Sequence, residues 1–240
     1  MAERVSVRAI WMVVGAIAVV LFTVMGTLQV VSAIAHEEGT VTHRFAAGGV
    51  TTLEVHADNG SVRIVGVDTD EIVITENVSD GLRATGHRIV RQGASLVAES
   101  TCPNFLSHFC WVDYTIRVPV QTDVVVRAGG GVDVSDVRGD VDVATDHGDL
   151  SIERVEGDAT LTADHGSVSV SFASPPERVE ADSDHGDVDV VLPRGDEQYR
   201  VDVSTDHGST DVAVRTAPDA ARVVRASSDH GDVTVRYPGG

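Results

Sequence analysis

Ala163-Asp164-His165-Gly166-Ser167-Val168-Ser169-Val170 and Ser183-Asp184-His185-Gly186-Asp187-Val188-Asp189-Val190 are two copies of one pattern. The tripeptide Asp-His-Gly returns at Asp146-His147-Gly148, Asp206-His207-Gly208 and Asp229-His230-Gly231. Successive histidines lie 18, 20, 22 and 23 residues apart. Each Gly is followed by a small polar residue and a short Val-rich segment. A repeat of this period marks a solenoid in which each copy is one rung.

Working outward, each rung has one strand before the turn and one after it. Val141–Ala144, Ala159–Thr162, Val179–Asp182, Val201–Ser204 and Val223–Ala226 precede it. Leu150–Ile152, Val168–Val170, Val188–Val191, Val212–Val214 and Val233–Val235 follow. Stacking like strands at ~4.8 Å gives two facing sheets, with Val inside and Asp, Ser and Thr outside. The expected fold is therefore an all-β, single-stranded β-solenoid, resembling a β-helix, over residues 50–240. No rung buries its Val face alone, so the rungs form one cooperative domain. Leu53–Ile64 makes an earlier rung with Asn59 in the His position. Residues 36–49 read as a tether with one short strand at Val41–Phe45. The sequence ends at Gly240 soon after a strand, so an uncapped edge and end-to-end self-association are expected.

The corner itself has several readings. Gly tolerates the positive φ of a tight turn, and an Asp carboxylate can accept a backbone N–H two residues on. Strand alternation through Val201, Val203, Thr205 and His207 places His at the inner edge of the corner and Asp outside. In the simplest reading the His rings stack and fill the corner. A second reading is a divalent metal held by His147, His165, His185, His207 and His230, or by Asp146, Asp164, Asp184, Asp206 and Asp229. Two carboxylates ~5 Å apart repel by roughly 3 kcal/mol at an effective dielectric of 20, so such a column favours a cation. A third reading is a pH sensor, since unperturbed His titrates near ~6.5.

The rest of the chain sets the compartment. From Ala9 to Ala35 no residue is charged, which exceeds the ~20 apolar residues a bilayer core requires. Arg4 and Arg8 precede this run and Glu37 and Glu38 follow. The positive-inside rule makes residues 1–8 cytoplasmic, 9–35 a single transmembrane anchor, and the remainder extracytoplasmic. Ala33-Ile34-Ala35 also fits a signal-peptide cleavage site, with secretion after Ala35 as the alternative. Cys102 and Cys110 fall in the exported part, where a disulfide is the default. The net charge is −19, and all 18 basic residues are Arg. That balance disfavours nucleic acid and anionic surfaces and favours cationic ligands. Aromatics are 4 % of the chain, so its core must be aliphatic.

Five equivalent corners in a ladder argue against catalysis, because a catalytic residue is normally single and set in its own pocket. No phosphate-cradling Gly motif, His-Glu-x-x-His or Gly-x-Ser-x-Gly is present. The Gly-(Asp/Ser)-Val-x-Val rungs, the Cys102 and Cys110 pair, and Tyr114-Thr115-Ile116-Arg117-Val118-Pro119 leading into the repeats resemble the bacterial putative-adhesin domain family. That family is related to the toast-rack envelope domains. The resemblance covers about residues 40–240 and implies a cell-surface β-solenoid behind a membrane segment, with no catalytic or cofactor residues. Its members commonly have small residues where this chain has Asp-His. The expected function is non-catalytic binding to an envelope component, another cell surface or a cationic ligand. Metal binding and envelope-stress or pH sensing are the alternatives.

Overall fold

The computed structural model describes residues 7–34, 37–80, 85–102 and 110–239. One helix, α1 (Val7–Ile34), precedes the strands. The irregular first part holds β1 (Glu37–Ala46), β2 (Thr52–Ala57), β3 (Val62–Val67), β4 (Glu71–Asp80), β5 (Gly86–Gln92), β6 (Ser95–Thr101) and β7 (Trp111–Pro119). The regular part begins with β8 (Asp123–Ala128), β9 (Val132–Ser135), β10 (Val141–His147), β11 (Leu150–Val155), β12 (Ala159–His165) and β13 (Val168–Phe172). It continues with β14 (Arg178–His185), β15 (Val188–Val191), β16 (Tyr199–His207), β17 (Thr210–Ala213), β18 (Arg222–His230) and β19 (Val233–Arg236).

These strands form two sheets in the orders β1-β4-β7-β3-β9-β11-β13-β15-β19-β17 and β16-β18-β14-β12-β10-β8-β2-β6-β5. The rungs pair in parallel, as a solenoid requires, and equivalent residues stand in columns. Val62, Val132, Leu150, Val168, Val188 and Val233 are successive partners, each no more than 1 % exposed. Val suits such a column because its branched side chain has little rotamer entropy to lose on a pleated surface.

The ends depart from a simple solenoid. The rung of β18 and β19 inserts between β14/β15 and β16/β17, so the outermost rung is the penultimate one in sequence. Long connections allow the skip: residues 192–198 lead into β16 and residues 214–221 into β18. The exposed edge expected at the last strand therefore belongs to β16 and β17, where all four residues of β17 are exposed. At the other end β1, β4 and β5 pair antiparallel and close the stack. The segment expected as a tether contains the ten-residue β1, longer than the expected Val41–Phe45. Among the described side chains of β1 only His43 and Phe45 turn inward, too few to mark its full length by hydrophobic alternation.

Buried polar groups join the two sheets at this closed end. Glu76 of β4 is fully buried and contacts His43 Nε2 of β1 at 3.2 Å and His87 Nδ1 of β5 at 3.1 Å. Tyr114 lies beside it, and burial is the main cause holding its hydroxyl pKa above the ordinary value. Cys102 and Cys110 form a disulfide, with Cα atoms 5.8 Å apart. The segment between them, 103–109, lies outside the described residues.

The membrane span expected over residues 9–35 falls on α1. Its apolar side chains are exposed, Trp11 to 70 % and Phe22 to 83 %. Taken over the described residues, no helix is long and apolar enough to cross a membrane. Residues 1–6 and the expected cleavage position at Ala35 lie outside them.

The columns predict a cooperative response to core truncation. Leu161, 1 % exposed, stands between the smaller Val143 and Ala181 in one buried column. Leu161→Ala should lower unfolding free energy by about 2–5 kcal/mol in a urea titration, with one transition retained.

Candidate functional site

The corner after the first strand of a rung begins with one inward residue: Thr145, Ala163, Ser183 and Ser228 are all at most 2 % exposed. Alternation would turn the Asp outward and the His inward again. Instead both are exposed in all five copies, because the regular alternation of the strand breaks at the Asp. The strand pairing skips that residue, passing from Thr145–Ala163 directly to His147–His165. The expectation of a His column at the inner edge is thus corrected, and the inner edge belongs to Thr, Ala and Ser.

The hydroxyls on that inner edge bond the rungs together. Ser183 Oγ donates to the Gly166 carbonyl at 2.8 Å, Ser228 to Gly186 at 2.8 Å, Thr205 to Gly231 at 2.9 Å and Thr145 to Gly130 at 2.7 Å. Backbone bonds run beside them, with Gly148 N–H donating to His165 O at 2.7 Å and Gly166 N–H to His185 O at 2.9 Å. Close approach explains the glycine. At Gly166, φ is +146° and an added Cβ would lie 2.2 Å from Gly148 O.

The five imidazoles stack outside this seam. Ring centroids are 5.1 Å apart for His147–His165, 4.9 Å for His165–His185, 4.9 Å for His185–His230 and 4.7 Å for His230–His207. The planes differ by 2–6°. Stacked parallel planes direct their nitrogen lone pairs side by side, never to a common point, so two of these rings share a metal only by leaving the stack. Among the described residues no three His, Cys, Asp or Glu side chains are grouped to hold a metal ion.

Asp146, Asp164, Asp184, Asp206 and Asp229 form the adjoining column. The expected acceptance of a backbone N–H two residues on is absent. Among the described residues these five carboxylates take neither a hydrogen bond nor an Arg partner.

That structural task passes to the residue after Gly, which the sequence marked only as small and polar. Asp149 Oδ1 accepts Ser167 N–H at 2.8 Å, and Asp187 Oδ1 accepts Asp232 N–H at 2.8 Å. Asp232 Oδ1 accepts both the N–H and the hydroxyl of Ser209 at 2.8 Å. The Ser209 backbone bond, followed by its hydroxyl, holds the Asp232 carboxyl below its ordinary range. The opposite corner repeats the device: Asp140 Oδ1 accepts Asp158 N–H at 2.9 Å, and Asp158 Oδ1 accepts Glu177 N–H at 2.9 Å.

Both the sequence and the fold of the corner region have counterparts among known proteins. Residues 121–236 match the family described as Toastrack DUF4097. This stretch, with all five Asp-His-Gly corners, is thus similar to toast-rack domains, the class that the sequence resembles. Among solved structures, a putative cell adhesion protein from Clostridium sporogenes superposes with a TM-score of 0.51 at 9 % identity, over 84 % of this chain and 100 % of that one. A putative adhesin from Bacteroides fragilis gives a TM-score of 0.44 at 12 % identity, over 83 % and 97 %. At such identities the first likeness is one of fold alone. No curated protein matches the chain.

Two outcomes test the corner. Ser183→Ala should cost about 0.5–1.5 kcal/mol in chemical denaturation, because Ala163 already occupies the equivalent place and only a hydrogen bond is lost. Gly166→Ala should cost several times more. Acid dependence follows from Asp232, whose folded pKa is lowered relative to the unfolded chain. Its contribution is fully present above about pH 4 and is lost as pH falls through the lowered value. Asp232→Asn should therefore flatten the acid limb of a melting-temperature profile, while wild type keeps the steeper fall.

Proposed function

We propose that this chain is a membrane-anchored, extracytoplasmic binding protein of adhesin type that works without catalysis. The observation that carries this reading is the corner face. Five exposed imidazoles and five exposed carboxylates, the latter without partners among the described residues, repeat at the rung spacing. A catalytic centre needs one distinct pocket, whereas a repeated face suits multivalent contact with a repetitive partner. The carboxylate column and the net charge of −19 favour a cationic partner on the envelope or on another cell. Anchoring rests on the uncharged run from Ala9 to Ala35 and on the exposed apolar side chains of α1. Location at the cell surface is supported by the toast-rack match and by the likeness to the putative cell adhesion protein of Clostridium sporogenes.

The histidine stack favours a second reading, a pH-responsive surface. Protonating neighbouring rings puts like charges about 5 Å apart, opposed by attraction to the Asp column. Melting temperature between pH 8 and 5 should fall more in wild type than in a variant with all five stacked His changed to Asn. Identical curves would end this reading.

The binding reading is tested with the full chain in nanodiscs and an oligo-arginine peptide. Binding should weaken steeply with salt. Replacing Asp164, Asp184, Asp206 and Asp229 together by Asn should weaken it at least tenfold, whereas undiminished binding would contradict a role for the column.

A further inference from the structure

The Asp and His of each corner are neighbours in the chain, yet they do not bond to each other. Both are exposed at all five levels. Among the described residues no carboxylate of Asp146, Asp164, Asp184, Asp206 or Asp229 pairs with an imidazole of the stack. The face therefore carries a column of acceptors beside a column of donors, since even a neutral imidazole keeps one ring N–H. Stacking holds the donors 4.7–5.1 Å apart, with adjacent ring planes within 6° of one another. Such an array fits a partner that repeats at the same interval.

A second copy of this chain has that interval. When two corner faces meet about a twofold axis running along the stack, the rotation exchanges the two sides of the face and keeps every level. Each His column then falls on the partner's Asp column, whatever width separates them, and donors meet acceptors at all five levels. With the axis running across the stack, the columns keep their sides, so His meets His and Asp meets Asp. Each copy has a net charge of −19, and that second arrangement adds like-charge contacts where the first offsets them. Building on the reading of this face as a contact for a repetitive partner, we propose that it docks a second copy of this chain, side by side and parallel, with His on Asp at each level.

Parallel docking agrees with the anchor reading. β1 starts three residues after α1 and lies at the closed end of the stack. Two parallel copies bring both helices to the same end, as two chains in one membrane require. The face is about 20 Å long at ~4.8 Å per level. It is small beside the ~800 Å² per partner of a stable interface, and anchoring in one membrane supplies the local concentration that a small contact needs.

The test mixes pairs of single-cysteine variants of the full chain in detergent micelles, with the Cys102–Cys110 disulfide kept, and oxidises them. Mass spectrometry of proteolytic fragments then counts the cross-links between copies. His165→Cys mixed with Asp164→Cys should cross-link at least tenfold more than His165→Cys mixed with Asp219→Cys, a change in the exposed connection between β17 and β18. His165→Cys mixed with His230→Cys should stay at the level of that control. These two residues meet only in the antiparallel arrangement, because the column order is symmetric about His185. Oligo-arginine, by covering the Asp columns, should suppress the first cross-link. Equal yields in all three mixtures, or a dominant cross-link between His165→Cys and His230→Cys, would overturn the proposal. If no cross-link forms between His165→Cys and Asp164→Cys while the fourfold Asp variant still loses oligo-arginine binding, self-docking falls and the cationic-partner reading stands.

Discussion

Backbone hydrogen bonding from rung to rung is the constraint on which everything else in this protein depends. Gly166 N–H on His185 O at 2.9 Å is one such bond, and Leu150 N–H on Ser167 O at 2.9 Å is another. Once parallel strands are in register at this spacing, every side chain at a given position must stand above its equivalent. A favourable residue type is repeated along a column, and so is an unfavourable one. Valine columns give a dry interior with few aromatics. Acidic columns place like charges on neighbouring levels, which must be offset or left to attract a cation.

The chain handles its acidic columns in two ways. Carboxylates after the corner glycine, such as Asp149, Asp187 and Asp232, each accept a backbone N–H of the neighbouring rung. Those residues are part of the scaffold. The carboxylates before the histidine accept nothing among the described residues and stay exposed beside a stack of imidazoles. This difference between two Asp columns three residues apart separates structure from the candidate binding face.

Much of this was legible in the sequence, and the limits have physical causes. The repeat, the parallel rungs, the Val core and the Cys102–Cys110 disulfide follow from period, alternation and compartment. The direction of the histidines did not, because alternation breaks inside the strand, at Asp146 and its equivalents. Rung order was also hidden. Each Asp-His-Gly corner offers the same donors and acceptors, so any copy can pair with any other, and only connections such as residues 192–198 decide which do. Only the Val41–Phe45 part of β1 was foreseen, because an edge strand with few inward residues carries little hydrophobic signal over its full length. The clasp of Glu76 with His43 and His87 joins residues distant in sequence and left no motif.

The central claim is the column order His147, His165, His185, His230, His207, which sets both the continuous face and the exposed edge. Engineered disulfides test it most directly, because adjacent levels bring Cα atoms within the 4.4–6.8 Å that a disulfide requires. Asp182 is the Cα partner of Ser227, and Ser204 stands on the far side of Ser227. The account predicts that Asp182→Cys with Ser227→Cys oxidises readily, as shown by mass spectrometry of proteolytic fragments. It predicts no cross-link for Asp182→Cys with Ser204→Cys. Efficient cross-linking of the second pair and none of the first would mean that the rungs stack in sequence order, contradicting the account.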